Sequence, residues 1–157
     1  MSTSHVRPAI LDDVEALVHH RISMFTDMGL SIDGPAVEGA FRLWLADAMP
    51  AGIYRAWVVE DGAPGGRIVA GGGITILPWP PGPRSLGTRI AFAYNVYTEP
   101  SHRRRGLARM IMDAIHAWCR ENGIAAVVLN ASKDGQPLYE SIGYGIAPSP
   151  MMFLSLE

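Results

Sequence analysis

Apolar residues recur every three or four positions in two early stretches: Val14, Leu17, Val18, Ile22, Phe25 and Met28, then Val37, Ala40, Phe41, Trp44, Leu45 and Ala48. Each set marks one face of a helix. Asp12, with Glu15 three residues on, reads as a variant capping box opening the first helix, and Gly29 stops it. The second helix starts at Pro35 and ends before Pro50. Stretches rich in β-branched and aromatic residues predict strands at His5 to Ile10, Tyr54 to Glu60, Arg67 to Leu77, Thr88 to Thr98 and Met151 to Leu156. The uninterrupted run from Ala126 to Ala131 predicts a strand covered on both faces. A third helix, Ala108 to Asn122, turns Ile111, Ala114, Ile115 and Trp118 inward and Arg109, Asp113, His116 and Arg120 outward, which makes His116 a surface residue. A short helix follows from Gly135 to Ile142. This order, strand, two helices, three strands, helix, strand, helix, strand, predicts an α/β fold with a mixed, mostly antiparallel sheet flanked by helices.

At 157 residues, the chain suits a single domain over 1–157, long enough to bury roughly 70% of its unfolded surface. Hydrophobic residues make up 48% and charged ones 18%, the balance of a globular protein. A formal net charge of -2 argues against general nucleic-acid binding. The lone Cys119 cannot form an intrachain disulfide and reads as a small core residue. With no apolar leader and no stretch of roughly 18 apolar residues, the expected location is cytoplasmic, with no membrane partner. Gly71-Gly72-Gly73 completes neither nucleotide-loop pattern, so close backbone contact or a bulge is expected there. His19 and His20 are adjacent and cannot share a helix face as a metal pair would, and no metal site is expected.

The chemistry concentrates where the fourth predicted strand meets the third long helix, from Asn95 to Asn122. The first N–H groups of a helix lack intrahelical partners and carry the positive end of its dipole, so a phosphate there can accept several hydrogen bonds. Gly106 lets a ligand oxygen approach the backbone closely, and Ala108 obstructs little more. Arg103, Arg104 and Arg105 add full charge at the same point. Such a turn suits a pyrophosphate.

Arg103-Arg104-Arg105-Gly106-Leu107-Ala108 resembles the pyrophosphate motif of the GCN5-related N-acetyltransferase family: Arg or Gln, two residues, Gly, one residue, Gly or Ala. Leu138-Tyr139-Glu140-Ser141-Ile142-Gly143-Tyr144 is similar to that family's last helix and the turn after it. The resemblance implies a GNAT-like fold with splayed central parallel strands. It implies acetyl-CoA as co-substrate, its pantetheine arm along Val96, Tyr97 and Thr98 and its diphosphate on Arg103 to Ala108. Tyr139 matches the family's proton donor, and Arg103 the family's arginine. Transfer would go directly to a primary amine of a small molecule or peptide within a ternary complex.

An alkylamine with a pKa of about 10.4 must lose a proton before it can attack, and the departing thiolate must gain one. Tyr139 can supply the second. For the first, Glu99 is the carboxylate at the end of the fourth strand, and a water is the alternative. The backbone N–H of Val96 or Tyr97 is the default oxyanion donor. Asn95, Asn130, Ser132 and Asp134 are candidates to hold coenzyme, substrate or a water. Met28, Phe41 and Trp44 are candidate acceptor contacts by the family's arrangement, and core residues by periodicity alone. An acyl-CoA-binding regulatory module without turnover is the rival reading. Outer strands leave homodimer formation open.

Overall fold

The computed structural model describes residues 3–157. Strand β1 (His5–Pro8) leads through a 3-10 turn into α1 (Val14–Asp27), and α2 (Gly34–Ala48) follows. Then come β2 (Tyr54–Asp61), β3 (Arg67–Pro78), β4 (Arg89–Thr98), α3 (Leu107–Glu121), β5 (Ala126–Leu129) and α4 (Gln136–Ser141). The described strands form one sheet in the order β1-β2-β3-β4-β5. The first four pair antiparallel, and β5 runs parallel to β4.

Alternation along β2 supplies both faces of the sheet. Tyr54, Ala56 and Val58 meet Leu17 and Val18 of α1 and Phe41, Leu45 and Ala48 of α2. Trp57 and Val59 face the other way, into a cluster with Val69, Ile74, Ala91 and Ala93 beneath Ile111, Met112, Ile115 and Cys119 of α3. Burial pushes the Cys119 thiol up to about 11, as expected of a core cysteine.

The entry to α1 differs in detail from the sequence expectation. Asp12 is exposed, and Asp13 does the capping work, accepting the Ile10 N–H at 2.8 Å. Arg7 grips the same carboxylate at 2.7 and 2.9 Å and reaches Glu60 at 2.7 Å, stapling β1 to β2 and to the helix start. These bonds hold the Asp13 carboxyl below the usual carboxylate range. His116 is half-buried rather than a plain surface residue, because its Nε2 meets Tyr144 Oη at 2.7 Å.

The end of the chain departs most. Met151 to Leu156 pairs with no strand, and Met152, Phe153 and Leu156 are 90, 92 and 90% exposed. A strand exists only through its ladder. Pro148 and Pro150 remove two donors just ahead of this segment. β5 itself is four residues long and sits at the edge of the sheet, so Ala126 to Leu129 are only partly covered instead of being buried on both faces.

Candidate active site

The site begins with a bulge. Along the β3–β4 ladder Gly71 faces Tyr97 and Gly73 faces Tyr94, leaving Asn95 and Val96 opposite Gly72 alone. Asn95 takes φ 58°, a left-handed conformation that asparagine tolerates better than most residues. Its buried amide is used at both ends. Nδ2 donates to Tyr54 Oη at 2.9 Å, and Oδ1 accepts from Arg21 Nη1 at 2.6 Å. Burial pushes the Tyr54 phenol up to about 12, so it stays neutral.

The three glycines of β3 permit this packing. A Cβ would stand 2.8 Å from His20 Nδ1 at Gly71, 2.7 Å from Ile111 Cγ2 at Gly72 and 2.2 Å from Tyr54 Oη at Gly73. The expected close contact and bulge are both present.

Parallel pairing runs from Ile90–Ala126 to Ala93–Leu129 and stops. Val96, Tyr97 and Thr98 continue past that point without a β5 partner, so the two strands part just ahead of the bulge. Beyond the strand, Arg104 and Gly106 take φ 61° and 79°, and the chain turns into α3. Met110 N–H donates to Gly106 C=O at 3.0 Å, and the N–H groups of Leu107, Ala108 and Arg109 precede this first helical bond. A Cβ at Gly106 would meet nothing within 4 Å, so the space next to the turn is open. Arg104 and Arg105 are exposed there. Arg103 is engaged otherwise: it pairs with Asp27, donates to Thr98 C=O at 3.0 Å and lies 5.6 Å from the Tyr97 ring centroid.

On the helix α1 and α2 side, a cleft of about 520 Å³ opens against the bulge, walled by Arg21, Phe41, Trp44, Tyr54, Tyr94 and Asn95. Of the residues expected to meet an acceptor, Phe41, Trp44 and Asn95 are therefore together. Met28 lies at the end of α1, half exposed and outside this lining. Ser132 lies in the turn before α4, its Oγ accepting the Gly135 N–H at 3.1 Å and its carbonyl accepting Gln136 N–H at 2.9 Å. Asn130 is exposed at the end of β5, its Nδ2 3.7 Å from Met151 Sδ.

Tyr139, on α4, packs against the core cluster under α3, as do Val96 and Leu129 from either side of the parting strands. Its ring stands edge-on to Tyr144 at 5.7 Å, and burial raises its pKa. Glu99 is buried, and its carboxylate accepts from His19 Nε2 at 2.7 Å. It follows Asn95 by four residues, about 13 Å along extended chain, and does not line the cleft.

Sequence reasoning passed over Arg21, Tyr54, Tyr94 and the His19–Glu99 contact. A signal existed for Arg21, which lies four residues after Leu17 and three after Val18 and so shares their buried face. Among the described residues no three His, Cys, Asp or Glu side chains converge as metal ligands. No described helix is long and apolar enough to cross a membrane.

A family model, the acetyltransferase (GNAT) domain, matches residues 52–146, more than half of the chain. Among solved structures, a GCN5-related N-acetyltransferase from Ralstonia eutropha JMP134 is 34% identical over 97% of this chain and 99% of its own, with a TM-score of 0.87. A predicted acetyltransferase from Clostridium acetobutylicum, crystallised with acetyl-CoA, is 24% identical over 97% and 96%, with a TM-score of 0.85. The glucosamine-6-phosphate N-acetyltransferase of Arabidopsis thaliana shares the fold at 18% identity and a TM-score of 0.74, covering 99% of each chain. No curated protein matches this chain.

Proposed function

This chain belongs to the GNAT acetyltransferase family, and we propose that it moves the acetyl group of acetyl-CoA directly onto a primary amine of a small molecule or peptide. The observation that carries this reading is the end of β4–β5 pairing at Ala93–Leu129, beside the Asn95 bulge that walls the cleft. A coenzyme arm entering between the strands would find the unpaired edge of Val96 to Thr98. Its diphosphate would reach the N–H groups of Leu107 to Arg109 over Gly106, with Arg104 and Arg105 free to close on it and Arg103 bracing the turn through Asp27. The open space at Gly106 fits such a group.

In the reaction, the acceptor nitrogen forms a bond to the thioester carbonyl carbon. The N–H of Val96 or Tyr97 holds the oxyanion, the carbon–sulfur bond then breaks, and the sulfur takes a proton from Tyr139. The cleft lining contains no carboxylate. The proton lost by the amine therefore leaves through water, with Glu99 at the end of β4 as the carboxylate that receives it. Cys119 is buried and its thiol stays protonated, which disfavours an acyl-enzyme route.

The remaining features extend this reading. The whole chain acts as one transferase domain in the cytoplasm. The free edge of β5 and the exposed apolar tail suit pairing with a second copy of the chain. Release of free thiol from acetyl-CoA in the presence of a panel of amines tests the activity. Coenzyme binding without thiol release from any amine would instead support a non-catalytic acyl-CoA-binding module.

A further inference from the structure

The cleft's one charged lining residue, Arg21, has no counter-ion among the described residues. Arg7, Arg42 and Arg103 each pair with a carboxylate. Arg21 instead lies against two aromatic rings, its guanidinium carbon 4.8 Å from the Phe25 centroid and 4.9 Å from that of Phe41. Its single hydrogen bond goes to the neutral amide of Asn95. A guanidinium carries five N–H donors, and rings shield its faces while leaving its edge for a planar anion. Burial lowers its pKa, the direction expected of a desolvated cation without a partner.

A half-buried charge left unpaired in a cleft is complementary to a ligand of opposite sign. The same wall repels polycations. Val37, Ala40, Phe41, Trp44 and the Tyr94 ring make much of the remaining lining apolar, beside the polar groups of Tyr54, Thr75 and Asn95. A volume of about 520 Å³ suits one small molecule. Resting on the acetyl-transfer reading above, we propose that the acceptor is a free amino acid or close analogue with an apolar or aromatic side chain, whose carboxylate pairs with Arg21. Asn95 positions that pair, since its Oδ1 fixes Nη1 and leaves the other guanidinium edge to the ligand.

The test compares thiol release from acetyl-CoA with phenylalanine, tryptophan and methionine, with the matching amine lacking the carboxylate (phenethylamine), with phosphoethanolamine, and with kanamycin. The expected result is a kcat/KM at least tenfold higher for phenylalanine than for phenethylamine, falling to parity in Arg21→Gln and only partly recovered in Arg21→Lys. Equal rates for phenylalanine and phenethylamine in the wild type, or a preference for kanamycin or phosphoethanolamine, overturn the proposal without touching acetyl transfer itself. Calorimetry with N-acetylphenylalanine and coenzyme A gives a readout free of turnover. Binding that Arg21→Gln weakens tenfold supports the carboxylate site even if no amine is acetylated. Binding that Arg21→Gln leaves unchanged overturns it.

Discussion

Asn95 on β4 and Tyr54 on β2 are joined by a hydrogen bond of 2.9 Å that passes over Gly73 of the strand between them. The bond fixes the bulge from which Arg21 is also held, so the shape of the cleft depends on it. Asn95→Ala removes both partners' bonds and leaves alanine at φ 58°, at a cost of about 2 to 4 kcal/mol. Asn95→Gly keeps the backbone relaxed and costs less than Asn95→Ala. Urea denaturation of the two variants and of Tyr54→Phe checks this, and an Asn95→Gly protein less stable than Asn95→Ala would contradict it.

At the turn before α3, a Cβ placed on Gly106 has no protein atom within 4 Å, so a side chain there starts into open space. Gly106→Glu should therefore keep the fold, apart from about 1 kcal/mol for a non-glycine residue at positive φ. It should weaken coenzyme A binding at least tenfold by placing a carboxylate against phosphate. Calorimetry of coenzyme A, with circular dichroism as the fold control, decides it. Arg104→Ala and Arg105→Ala should each show a smaller loss that grows with falling salt.

The Tyr139 hydroxyl is the proposed proton source for the leaving thiolate. Tyr139→Phe keeps the ring against Tyr144 and the core, so thermal stability should change little. Turnover should fall tenfold or more while the dissociation constant of acetyl-CoA stays within about twofold. Unchanged kcat would remove the tyrosine from the reaction.

The turn and its helix were legible because their signal is local: Gly106, the arginines and the amphipathic run of α3 lie within one stretch. The glycines of β3 were legible for a related reason, since three together in a strand have little use except close contact. Arg21 and His19 were not, because their partners Asn95 and Glu99 are 74 and 80 residues away and no local pattern encodes such a pairing. The final segment misled by its composition. Met151 to Leu156 has the residues of a strand, but pairing depends on a neighbour, which composition does not record.

That segment provides a test of assembly. Phe153 is 92% exposed and touches no core cluster, so Phe153→Asp should leave secondary structure and thermal midpoint intact in a monomer. Sedimentation equilibrium should find the wild-type chain as a dimer at micromolar concentration and the variant shifted to monomer. A monomeric wild type would remove the homodimer from the reading.

His20 makes stability fall in mild acid. It is 2% exposed, its Nδ1 has no hydrogen-bond partner, and its ring lies 5.2 Å from that of Tyr97. Desolvation drives its pKa down from 6.5 to about 4, against the attraction of Glu99 and with a smaller push from His19. Between those values the unfolded chain binds a proton that the folded chain refuses, so stability rises with pH across the window and falls as pH drops through it. The loss attributable to His20 should reach about 2 kcal/mol by pH 5 and about 3 kcal/mol near pH 4. Asp13 and Glu60, both held below their ordinary values by Arg7 and backbone contacts, lose their contributions only under more acid conditions, while His116, whose pKa burial also lowers, acts in the same direction as His20 between pH 7 and 5. Urea midpoints of the wild type should fall across that interval, and those of His20→Leu should fall distinctly less, the remainder being the share of His116. A wild-type curve flat from pH 7 to 5 would mean that the imidazole is protonated where it sits, and the buried neutral ring would have to be given up.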